Sequence, residues 1–260
     1  MLLFSNASLH AQCETNNVAF KSGELIVYDL LFNWKFIWTK AGSASLSTNA
    51  ITYNSKSAYK INLLAIGSKG ADFFFKMRDT LTCVIGDRLQ PYYFRKGSEE
   101  GKRYVVDEAH FSYRNGVSYV KQKRIKKDGE IIFSEQDDSR CIYDMLSILA
   151  QARAFDPADY KVGQHIKFSM ATGLKVEEQT LIYRGKKNFK AEDDTIYRCL
   201  VFSLVEYKKG KEKEIITFYV TDDKNHIPVR LDLFLNFGSA KAFLRNVRNY
   251  KYPMTSVIRK

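Results

Sequence analysis

Apolar side chains recur at every second position over most of this chain, the period of a strand with one buried face. From Glu24, the run ELIVYDLLFNW puts Ile26, Tyr28, Leu30, Phe32 and Trp34 on one face and Asp29 and Asn33 on the other. An Ala41-Gly42-Ser43-Ala44 step is expected to lead into a second strand through Leu46. Tyr59, Ile61, Leu63 and Ala65 alternate with Lys60, Asn62 and Leu64 in a third. The clearest local signal is a meander. Arg103–Tyr113 runs to Asn115-Gly116, a return strand spans Val117 to about Ile125, and Asp128-Gly129 turns the chain again before Glu130–Ser134. Both turn pairs suit the positive φ angles of a type I′ hairpin.

The segment Arg140–Arg153 breaks the pattern. Ile142, Met145, Leu146, Leu149 and Ala152 recur at helical spacing, Ser139 or Asp138 offers an N-cap, and Asp156-Pro157 supplies the stop. Beyond it, strands are expected over His165–Met170, Lys175–Arg184, Tyr197–Tyr207, Glu214–Asp222, Ile227–Phe237 and Lys241–Val247. Loops are expected at Gly185–Asp194 and Lys208–Lys213. Phe75–Phe94 and Phe218–Leu233 echo one another, each with an acidic turn, a proline (Pro91, Pro228) and a following strand. The pattern predicts a mainly antiparallel β fold, a curved sheet or open barrel with one central α-helix. Residues 13–260 read as a single β-rich domain, or as two β-halves (about 20–135 and 160–250) joined by the helix over 140–153 and sharing one sheet system.

Composition sharpens this picture. Hydrophobic residues at 45% and aromatic residues at 14% supply a core and exclude global disorder. The 41 Lys and Arg outnumber 29 Asp and Glu, a net charge of +12. No groove-shaped basic element or basic–aromatic interleaving accompanies that charge, so nucleic acid is not expected as a partner. MLLFSNASLHAQ, residues 1–12, reads as the tail of a secretory signal cleaved near Ala11–Gln12. Gln12 before Cys13 favours a soluble exported protein over a lipid-anchored one. No later run approaches the length needed to span a bilayer as a helix. Cys83 and Cys199 lie in apolar strand-like runs and read as buried thiols, and a Cys141–Cys199 bridge is weighed as the one disulfide.

Candidate chemistry is sparse. His10, His110, His165 and His226 lack ligand spacing, so neither a metal site nor any other cofactor is predicted. Nucleophile-elbow, Walker and dinucleotide patterns are absent. Ser147 beside Asp144 reads as a helix-face residue. The adjacent pairs Asp137-Asp138 and Asp222-Asp223 would point to opposite faces of a strand, and in turns they would accept backbone N–H groups. Two features stand out. The basic hairpin Lys121, Lys123, Arg124, Lys126 and Lys127 either protects a sheet edge or meets anionic groups. The aromatic set Trp34, Phe36, Trp38, Phe73, Phe74 and Phe75 either fills the core or lines an apolar ligand site.

The run TFYVTDDKNHIPVRLDLFLNFGSAKAFL, the opening GELIVYDLLFNWKFIWTKAGSASL and the central YDMLSILAQARAF together resemble exported bacterial proteins classed as domain of unknown function 3108. The resemblance covers roughly Phe20 to Val247. It implies export to the periplasm and a mainly β architecture, and it carries no activity over to particular residues. The expected function is a noncatalytic cell-envelope protein binding an apolar or amphiphilic ligand, a lipid or an envelope glycan. The alternatives are a polysaccharide-active enzyme built from carboxylates distant in sequence, and a structural adaptor docking through sheet edges.

Overall fold

A computed structural model describes residues 13–34, 37–68, 77–100, 103–158, 160–208, 210–235 and 238–259. The segment 1–12, Phe36 and Phe73, Phe74 and Phe75 lie outside the described residues. The first half is an up-and-down meander: β1 (Glu24–Trp34), β2 (Ile37–Tyr53), β3 (Lys56–Gly67), β4 (Met77–Gly86), β5 (Pro91–Glu100), β6 (Arg103–Arg114), β7 (Val117–Lys126) and β8 (Ile131–Asp138). A short β9 (Ile142–Tyr143) and a helix α1 (Met145–Arg153) follow. The second meander comprises β10 (His165–Ala171), β11 (Val176–Lys190), β12 (Ile196–Lys208), β13 (Lys211–Thr221), β14 (Pro228–Leu235) and β15 (Gly238–Arg248). A last strand, β16 (Val257–Arg259), pairs with β12.

Both meanders belong to one sheet, because β15 returns to lie antiparallel beside β1. The sheet curls into a nearly closed barrel whose free edges are β8 and β9. Across that seam Ser169 donates to the Asp138 carboxylate, and Arg140 donates to Glu178 at 2.8 Å. A disulfide between Cys13 and Cys141 ties the N-terminal segment to the link between the two edges. This replaces the weighed Cys141–Cys199 bridge, because Cys199 lies buried on β12 beside Phe189 and Val229. Cys83 and Cys199 are buried free thiols, as their apolar settings in the sequence imply.

Alternation places Ile26 and Tyr28, Ala44 and Leu46, Ile61, Leu81 and Cys83, Phe94, and Ala109 and Phe111 in one core with Leu146 and Ala150 of α1. The Asn115-Gly116 turn has φ angles of 51° and 75°, as type I′ demands. Asp128-Gly129 differs from expectation. Only Gly129 has positive φ, and Lys126 N–H bonds the Glu130 carbonyl, so this is a three-residue loop closed by a left-handed glycine. The Ala41–Ala44 step sits inside β2 rather than between strands, with Gly42 so close to β3 that a Cβ would strike the Ile66 carbonyl. Likewise β11 runs on past Gly185 to Lys190, absorbing that residue as a bulge opposite Val201. The two echoing segments form the hairpins β4–β5 and β13–β14. In each, the residue after the proline (Tyr92, Val229) is skipped in the register, and the proline carbonyl accepts a tyrosine hydroxyl, Tyr113 on Pro91 and Tyr28 on Pro228.

The helix begins later than its apolar spacing suggests, since Ile142 and Tyr143 pair with Ser169 and Met170 as β9. Its N-cap is Asp144, not Ser139 or Asp138. The Asp144 carboxylate accepts from Leu146 and Ser147 N–H, while Ser147 Oγ accepts from Asp144 N–H. Ser147 is therefore a buried capping residue. At the other terminus of α1, Arg153 makes a two-pronged ion pair with Glu24 of β1 at 2.6 and 2.9 Å, both side chains almost fully buried. The same guanidinium donates twice to the Asn225 carbonyl in the β13–β14 turn. Asn225 in turn exchanges two 2.8 Å hydrogen bonds with the Tyr252 backbone. One arginine thus binds helix, first strand and second meander together, and α1 stoppers that end of the barrel.

Breaking a buried pair strands a charge. Glu24→Gln should lower unfolding free energy by about 3–5 kcal/mol in denaturant titrations. Cys13→Ser should cost about 2–4 kcal/mol by the same measurement under oxidising conditions, and should make no difference once the parent is reduced.

Candidate functional site

The antiparallel order puts the β1–β2, β5–β6, β7–β8, β10–β11, β12–β13 and β14–β15 connections at the end away from α1. This end is the mouth, and both sequence-predicted groups lie on its elements as far as they are described.

The basic residues of β7 are set out by the hairpin register. A type I′ turn at Asn115-Gly116 places Arg124 opposite Asp107 and Lys123 opposite Glu108. Arg124 grips Asp107 with two hydrogen bonds of 2.6 and 2.9 Å, and Lys123 reaches Glu108 at 3.2 Å. Lys121 pairs with Glu135 of β8, and Lys126 with Glu130. Exposed pairs of this kind contribute little stability, whereas the half-buried two-pronged Arg124–Asp107 pair is held in fixed geometry. β7 has partners on both sides, so these charges stand inside the sheet rather than along its free edge.

Beside them lies an open depression of about 560 Å³ lined by Tyr104, Val105, Arg124, Lys126, Lys127 and Asp128. It joins an aromatic ring and an aliphatic side chain to cations, an amphiphilic lining. Gly173, in the turn between β10 and β11, presses on the Arg124–Asp107 pair so closely that a Cβ there would collide with the guanidinium. The second meander thereby backs one wall of the first. Tyr104 and Val105 carry no local motif, and Asp128 is marked in the sequence only as part of a turn pair. Only their positions flanking hairpin tips would have pointed to them.

Of the aromatic set, Trp34 ends β1 and Trp38 is the second residue of β2. Trp38 is 39% exposed, and Lys241 of β15 holds its ammonium 4.3 Å from the ring centroid. A different aromatic group, built from three strands, surrounds Arg230. Its guanidinium lies 4.8 Å from Tyr219, 5.5 Å from Phe189 and 5.7 Å from Phe243 while bonding Asp232. That box is filled by the protein's own side chain.

The two carboxylates buried among the described residues hold the fold together. Glu24 is bound to Arg153, and Asp144 caps α1. Burial pushes the Asp144 carboxyl up to about 6, against the backbone and Ser147 hydrogen bonds that favour its charged form. Its Oδ2 has no partner. The buried Cys83 thiol is pushed well up by burial and by Asp144, which favours its neutral form. Asp223 bonds the backbone N–H groups of Asn225 and Ser256, and Asp222 pairs with Lys186 and Arg198. The three described histidines are dispersed over β6, β10 and the β13–β14 turn. Among the described residues no cluster of three or more His, Cys, Asp or Glu could hold a metal, and no helix is long and apolar enough to cross a membrane.

A family model described as protein of unknown function (DUF3108) matches residues 27–245. No curated protein matches the sequence. Among solved structures, the chain is similar to a β-barrel-like protein of domain of unknown function DUF1849 from Brucella abortus. The two share 12% identity with a TM-score of 0.58, over 90% of this chain and 100% of that one. A putative exported protein with a YmcC-like fold from Bacteroides fragilis aligns at 8% identity and a TM-score of 0.37, over 90% of this chain and 99% of that one. The first similarity supports the barrel alone.

The raised Asp144 pKa has a definite sign. A carboxyl whose folded pKa exceeds its unfolded value stabilises below the unfolded value, and that contribution is lost as pH rises from about 4 to about 6. Asp144→Asn keeps a good cap without the charge. Relative to the parent, the variant should therefore gain on the order of 3 kcal/mol of unfolding free energy between pH 4 and pH 7, read from paired denaturant titrations.

Proposed function

The chain belongs to the DUF3108 family of proteins of unknown function, and on that footing we propose that it is a noncatalytic protein of the bacterial periplasm that binds an apolar or amphiphilic ligand at the mouth of its barrel. The observation that carries this reading is the depression lined by Tyr104, Val105, Arg124, Lys126, Lys127 and Asp128. A concave site with a few convergent polar groups beside apolar ones is the usual form of a small-molecule site. An acyl chain or sugar ring would lie on Tyr104 and Val105, with its polar end among Arg124, Lys126 and Lys127. The opposite end is filled by α1, whose Leu146 and Ala150 pack into the core. The Cys13–Cys141 disulfide supports export, since such bridges persist in oxidising compartments.

Extraction of the purified protein into organic solvent, followed by mass spectrometry, should release a lipid or glycolipid. A fluorescent fatty-acid analogue should bind, and Tyr104→Ala or Lys127→Glu should each weaken it about tenfold, ~1.4 kcal/mol. An empty extract together with a probe indifferent to both substitutions would sink the reading.

A further inference from the structure

The large apolar side chains that this protein exposes are not scattered. Besides Tyr104, nine of the fifteen among the described residues lie within four residues of a strand end at the mouth. Ile37 and Trp38 open β2, Phe234 and Leu235 close β14, and Ile131 and Phe133 open β8. Ile37 is 67% exposed and Phe133 71%. An apolar zone of this kind on a soluble domain marks an interaction surface. Its partner must meet several hairpin tips from neighbouring strands at once, which a flat, yielding surface does without shape matching.

Charge indicates the kind of surface. The chain carries +12 overall, and the rim outside the depression bears Lys40, Lys211 and Lys241. Lys241 stands directly over the Trp38 ring. An ammonium beside an indole at an exposed tip is the arrangement that suits the boundary between acyl chains and headgroups, where the ring is half immersed and the cation stays with phosphates. We infer that the mouth is a docking face for an anionic lipid bilayer, the hairpin tips entering the headgroup layer and the surrounding lysines holding phosphates. Basic side chains near such a surface each add to binding, and apolar burial makes it resist salt. This surface uses the rim, not the Tyr104 depression, and stands independently of ligand binding.

The two tryptophans, Trp34 and Trp38, both belong to the β1–β2 hairpin, so selectively excited tryptophan emission reports on that hairpin. The full chain should co-sediment with vesicles of phosphatidylcholine and phosphatidylglycerol in equal parts and much less with phosphatidylcholine alone. Its tryptophan emission should shift to the blue and be quenched by brominated acyl chains. Ile37→Asp combined with Leu235→Asp should reduce binding at least tenfold while circular dichroism and thermal midpoint stay at parental values. Tyr104→Ala, which impairs the ligand site, should bind vesicles as the parent does. Failure to co-sediment with the phosphatidylglycerol vesicles overturns the inference. So does binding without a tryptophan shift, or a dimer in sedimentation velocity that the paired aspartates dissolve.

Discussion

The ion pair between Glu24 and Arg153 is the contact on which the rest of the architecture depends. A sheet of two meanders has no intrinsic reason to place its central helix at one end of the barrel, because helix packing alone is non-directional. Arg153 supplies direction. Its guanidinium addresses the first strand through Glu24 and the β13–β14 turn through the Asn225 carbonyl. Buried where water cannot substitute, those bonds are all-or-none. The helix therefore sits where both halves of the chain meet, and it closes the end of the barrel where they do.

From that asymmetry follows the division of the molecule. Near α1 the interior is apolar, with Ile26, Leu81, Cys83, Phe94 and Leu146 in contact. Toward the mouth the inward positions turn polar: Ser98 donates to Asp79, and Arg124 is locked to Asp107. Apolar core and polar mouth are thus two ends of the same strands. Length alone separates them.

Much of the first meander was legible because its register follows from local chemistry. Once Asn115-Gly116 is a two-residue turn, the pairing of Arg124 with Asp107 and of Lys123 with Glu108 is arithmetic, so even the neutralisation of the basic strand could have been read. The cap of α1 could also be found, since Asp144 and Ser147 carry the capping spacing, but apolar periodicity drew the helix start toward Arg140. Contacts with no local correlate stayed hidden. Glu24 and Arg153 are 129 residues apart, Cys13 and Cys141 are 128 apart, and nothing near either partner names the other. Gly42 and Gly185 read as breaks because a glycine looks the same at a strand end and at a bulge. The mouth was partly visible, in Trp38 and the β7 cations, while Tyr104 and the apolar tips need the closed sheet to come together.

The Cys13–Cys141 bond also gives the two meanders different mechanical fates. It closes a covalent loop that contains all of β1 through β8 and leaves β10 through β16 outside. A force applied at the C-terminus can peel the later strands away one after another, but it cannot extend the looped half without cleaving sulfur from sulfur. The molecule is in effect a tethered half with a detachable flank, and the flank is the part that carries β14 and β15 on the rim.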